Sequence, residues 1–214
     1  MVKNKKEYVL RIVKILERNF EQTKYPINFS NNFELLVAVI LSAQCRDEMV
    51  NSVTENLFKR YKKIEDYANA NIFEFENYIR SAGFFRNKAK NIIRSAQLIM
   101  NSYNGVLPQT MEELIKLPGV ARKTANIVLS VAFNKSEGIA VDTHVIRIAN
   151  LLKLTKCKNP IKIEEDLIKV IPKKYWANFS FYIQSLGKRI CKARNLNHSV
   201  CPLNAICPTG RHHV

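Results

Sequence analysis

Cys191, His198, Cys201 and Cys207 have the residue types and the spacing of a metal site, with six, two and five residues in the successive gaps. On ligand chemistry alone, three thiolates and an imidazole make a closed zinc site. A four-iron cluster ordinarily takes four thiolates, although an imidazole can replace one on a single iron and raise the potential. Zinc, a [4Fe-4S] cluster and an incomplete three-iron cluster are all open to this donor set. Cys45 and Cys157 stand alone and read as buried thiols.

A second group is the stretch LPGVARKTA at 117–125. Pro118 stops one helix, and Gly119 can take a backbone conformation closed to bulkier residues. Val120 then pins the turn into a core, and a second helix begins near Ala121. Such a hairpin presents backbone N–H groups at a helix N-terminus, an arrangement suited to a phosphate. Gly119, Val120, Ala121 and Arg122 are the candidate contacts, and an ordinary helix–helix turn is the competing reading. By residue type Lys123 is one more phosphate contact. Asp142, in VDTH, is by type the N-cap of a helix beginning at Thr143, and His144 beside it reads as structural.

These groups need helices to hold them, and the chain supplies helix after helix. Val9, Ile12, Val13 and Leu16 form an apolar stripe with lysines opposite, the pattern of a surface helix docked on a core. The run FELLVAVILSAQ is apolar all round, which marks a buried helix, and the asparagines before it are N-cap types. Further helical segments are expected at 48–60, 71–80, 87–102, 111–116, 122–133, 143–151, 161–170 and 175–187. Only residues such as 138–141 could pass for strand. The fold class is all-α. The formal charge of +16 favours a polyanionic partner, although an AT-rich genome also enriches lysine. A secretory leader and a bilayer-length apolar run are both absent, so a soluble cytoplasmic protein without membrane contact is expected.

LPGVARKTAN followed by AVDTHVIR resembles the helix-hairpin-helix superfamily of DNA glycosylases and, within it, the endonuclease III family. FELLVAVILSAQCRD, the loop SAGFFRNKAKNI and the Cys191–Cys207 tail extend the resemblance over nearly the whole chain. It implies a base-excision repair glycosylase and abasic-site lyase, acting as a monomer at the nucleoid on oxidised pyrimidines in duplex DNA. Lys123 takes the nucleophile's position; its amine must be the free base, which desolvation, nearby cations or a helix N-terminus favour. Asp142 takes the second catalytic position, where a capping carboxylate could stabilise a cationic sugar.

The same resemblance makes Gln44 and Phe84 strand-insertion residues, places Asp47 at the lesion pocket, and puts Lys88 among the DNA contacts. For the tail it favours a [4Fe-4S] cluster with His198 as one ligand, pinning a loop that offers Lys192 and Arg194 to the phosphate backbone. It also implies two closely packed domains: a six-helix hairpin domain over 26–136, and a domain of 1–25 with 137–214 that ends in the cluster loop. Their cleft would join Lys123 to Asp142. Three departures stand out: Ala121 where the hairpin often has glycine, Phe84-Phe85 in place of Leu-Tyr, and His198 in place of a cysteine. A monofunctional adenine glycosylase and a non-enzymatic iron–sulfur DNA-binding protein are the alternatives. Lys123 argues against the former.

Overall fold

The computed structural model describes residues 5–20, 25–194 and 197–210. Among the described residues there are eleven α-helices, two single-turn 3-10 helices and no strand, as the all-α reading requires. The strand-like stretch 138–141 is a buried connection in which Ala140 O accepts from Ser180 Oγ at 2.5 Å. No helix of the described residues is long and apolar enough to cross a membrane. The chain divides into two compact units: Tyr25–Lys135 is one, and the residues before and after it form the other.

In the Tyr25–Lys135 unit, α2 (Asn32–Leu41) is the central element, and each residue from Phe33 to Leu41 is buried. Its N-terminus is fixed by Asn31 Oδ1, which accepts from Glu34 N at 2.9 Å. The helix packs against α3 (Asp47–Arg60), α6 (Phe85–Ser102) and α8 (Arg122–Phe133). α4 (Ile64–Ala68) and α5 (Ile72–Tyr78) also pack on α6, and the edge-on rings of Phe33, Tyr61, Tyr67 and Phe75 join them to α2 and to the end of α3. The hairpin's first helix, α7 (Met111–Leu114), packs on α8.

The other unit is built from α1 (Lys5–Phe20), α9 (Thr143–Leu151), α10 (Pro160–Ile168) and α11 (Trp176–Arg189). The α1 stripe of Val9, Ile12, Val13 and Leu16 is fully buried at 0% exposure, so its helical spacing does define the core face. α11 contacts both α1 and α9. At Gly187 the latter pair come so close that a Cβ would stand 2.5 Å from His144 Cδ2. His144 therefore has a packing role.

Candidate active site and DNA interface

Leu117–Val120 closes as a turn in which Val120 N donates to Leu117 O at 3.1 Å. Gly119 has φ +79°, the left-handed conformation that the third position of a Pro-Gly turn needs. α6 seats the turn: Ser95 Oγ donates to Pro118 O at 2.9 Å, and Asn91 lies 3.0 Å from where a Gly119 Cβ would be. Val120 corrects one expectation, since its amide is used inside the turn and its side chain is buried. It anchors the hairpin, as its apolar character requires, and does not offer a phosphate contact. Ala121 is the N-cap of α8, with extended backbone and no side-chain cap hydrogen bond. The exposed residues Arg122 and Lys123 thus stand in the first turn of a helix whose N-cap residue supplies no side-chain cap.

Asp142 caps α9 and lies in the other unit, with a side chain only 11% exposed. Its Oδ1 accepts from Val145 N at 2.8 Å, and its Oδ2 accepts from Gln184 Nε2 at 2.7 Å. The His144 ring nitrogen Nδ1 stands 3.4 Å from the same Oδ2. The helix N-terminus and the α11 amide both favour the ionised carboxylate.

Gln44 and Phe84 share an unusual property: both have left-handed backbone without being glycine, with φ +53° and +47°. Both are exposed, Phe84 at 67%. Gln44 does not cap α2, because Ser42 does so through its own amide to Ala38 O and its hydroxyl to Val39 O. Phe84 is not core, for it is Phe85 that packs partly buried against the apolar cluster. Asp47 opens α3, and its charge adds to the burial that raises the Tyr25 phenol above its ordinary range.

Lys88 corrects a second expectation. It is 6% exposed, and its Nζ donates to Leu41 O at 2.8 Å and to Ala82 O at 2.7 Å. Burial lowers the pKa of its amine. An ammonium held inside by two carbonyls cannot also reach a phosphate.

Cys191, His198, Cys201 and Cys207 line one small pocket, walled by Ile148 and Leu151 of α9 and Leu186 of α11. Short turns shape the loop: Cys201 N donates to His198 O, Asn204 N to Cys201 O and Cys207 N to Leu203 O. Gly210 sits against it, where a Cβ would meet Asn204 Oδ1 at 2.8 Å and His198 Nδ1 at 3.3 Å. Burial raises the thiols of Cys191 and Cys201, and Arg147, donating to Cys191 Sγ at 3.5 Å, acts against this at Cys191. Among the described residues no three His, Cys, Asp or Glu side chains close around a single ion; the four donors ring a pocket instead. Three thiols and an imidazole on one apolar-walled pocket fit an iron–sulfur cluster. Lys192 and Arg194, in the first ligand gap, are exposed.

Residues 37–173 match the family model of the HhH-GPD superfamily of base excision DNA repair proteins. Endonuclease III of Synechocystis sp. is 46% identical over 208 residues, 97% of this chain and 95% of its own length. That of Bacillus subtilis is 42% identical over 193 residues, covering 90% and 88%. The chain belongs to the endonuclease III family. A trapped covalent endonuclease III–DNA intermediate, the estranged-adenine complex, superposes with TM-score 0.91 at 39% identity, over 97% of both chains. A non-covalent endonuclease III–DNA complex gives 0.90, also at 39% identity and 97% of both chains.

Relative to the family pattern, Ala121 is harmless, since its φ of −86° is open to any residue. Phe84 keeps an exposed apolar group at the head of α6. The sequence reading gave no role to Asn91, Ser95, Arg147 or Gln184.

Proposed function

We propose that this endonuclease III family member is a base-excision repair DNA N-glycosylase with abasic-site lyase activity, acting on oxidised pyrimidines in duplex DNA. The observation that carries the reading is Lys123, exposed in the first turn of α8 behind the Pro-Gly turn, where the N-cap residue Ala121 makes no side-chain cap. The Lys123 Nζ attacks C1′ as a free amine and the damaged base leaves with its bonding electrons, taking up a proton. The amine then loses a proton as the ring opens to a Schiff base at C1′. Loss of a C2′ proton expels the 3′ phosphate by β-elimination, and hydrolysis of the imine returns the amine. Asp142, held ionised at the start of α9, stabilises the sugar cation as the glycosidic bond breaks.

In this reading Gln44 and Phe84 fill the gap left by the extruded nucleotide, and Asp47 borders its pocket. Gly119, Ala121 and Arg122 meet the phosphates of one strand, and Lys192 and Arg194 meet the backbone from the cluster loop. Cys191, His198, Cys201 and Cys207 would hold a [4Fe-4S] cluster, which fixes that loop and takes no part at the scissile bond. The hairpin domain over 26–136 and the domain formed by 1–25 with 137–214 belong to the same proposal.

Borohydride trapping on duplex DNA carrying an abasic site tests it. The wild-type chain is expected to give a covalent adduct, and Lys123→Gln none. Folded wild-type protein that forms no adduct would rule the lyase out.

A further inference from the structure

We propose that Lys88 is a positioning residue whose buried ammonium ties the Gln44 and Phe84 arms together, so that they enter DNA as one unit. The inference rests on the insertion reading of those two residues. Leu41 is the last residue of α2 and lies three before Gln44, whereas Ala82 lies two before Phe84. One Nζ holds the carbonyls of both, at 2.8 and 2.7 Å. Leu41 O is also at the negative end of α2, where a cation is favoured. Among the described residues no carboxylate forms an ion pair with Lys88, so it bears a desolvation cost that an apolar side chain of equal volume would avoid. What the ammonium supplies is the bridge between two segments 41 residues apart in sequence (41 to 82). Each segment reaches, within three residues, a non-glycine residue in left-handed conformation. A helix entry and a helix exit in that state need an external tie to keep their side chains in register.

Lys88→Met keeps the length and removes the donors. Its expected effect is a loss of about 100-fold in single-turnover excision from duplex DNA, with parallel loss of the fluorescence change of 2-aminopurine opposite an abasic-site analogue. Borohydride trapping of Lys123 on a single-stranded abasic site, which needs no insertion, is expected to stay at the wild-type rate. Lys88→Arg, which retains donors and charge, is expected to recover most of the duplex activity. Should Lys88→Met not fold, Lys88→Gln, too short to reach both carbonyls, takes its place in the same assays. Wild-type duplex excision by the donor-free variant overturns the proposal, and so does equal loss on duplex and single strand. If Gln44→Ala and Phe84→Ala both leave the 2-aminopurine signal intact, the insertion reading falls and takes this inference with it. If they abolish the signal while Lys88→Met preserves it, only the tie is wrong.

Discussion

Gln184 holds the Asp142 carboxylate in place: its Nε2 reaches Oδ2 at 2.7 Å, while the amide of Val145 occupies Oδ1 at 2.8 Å. The cap that starts α9 is thereby tied to α11, and the carboxylate's direction is fixed from two sides. A hydrogen bond to an ionised group contributes roughly 1.5–3 kcal/mol. Gln184→Leu is therefore expected to slow base excision about 10- to 100-fold while circular dichroism stays unchanged. Gln184→Glu, which sets a second carboxylate against Asp142, should be slower still. Single-turnover rates on a lesion-containing duplex decide, and wild-type rates in both variants would remove Gln184 from the site.

Gly119→Ala should weaken DNA binding and the fold together. Its φ of +79° costs an L-residue roughly 1–2 kcal/mol, and the new methyl group would press on Asn91 at 3.0 Å. Asn91→Ala in the same chain is expected to remove the contacts with Nδ2 and Cγ while its own Cβ stays 3.0 Å away, so it should relieve only part of the steric cost and none of the conformational cost. Thermal unfolding of the two single variants and the double variant separates them.

Lys192 and Arg194 are expected to act through charge alone. Each contacted phosphate releases counterions, so Lys192→Ala and Arg194→Ala should each reduce the slope of log K against log salt by about 0.9. The loss should be alike for damaged and undamaged duplexes, because backbone contacts carry no sequence or lesion information. A loss confined to damaged DNA would place these residues at the lesion instead.

On the proposed cluster assignment, His198→Cys supplies a fourth thiolate. In iron-57 protein the wild-type Mössbauer spectrum is expected to show one iron distinct from the other three, and the variant a more uniform set. The variant should also lose iron to a chelator more slowly. Identical spectra in wild type, His198→Cys and His198→Ala would mean that His198 is not a ligand.

The local part of this molecule is readable in its sequence. α8 and α9 begin and end at the expected residues because their signals are contained in a few positions: the Pro-Gly turn before Arg122, and the Asp142 cap before Thr143. α4, five residues long, has too few turns to show a period. The long-range partners could not be read. The burial of Lys88 depends on where the carbonyl of Leu41 ends up, 47 residues away, and the role of Gln184 on a carboxylate 42 residues away. A lysine at the start of a basic helix and a glutamine on another look like surface residues until the packing is known. Val120 shows the intermediate case, since its apolar side chain announced the anchor while the hydrogen bond of its amide depended on the turn geometry.

The left-handed backbone at Gln44 and Phe84 sets stability against activity. Each position costs the native state roughly 1 kcal/mol that glycine would not. Glycine at either place would relieve that strain, a gain offset in part by its own larger entropy loss on folding, and under the proposed insertion role it would leave nothing to fill the gap in the duplex. On that reading, selection for a relaxed backbone and selection for repair would pull these two positions in opposite directions.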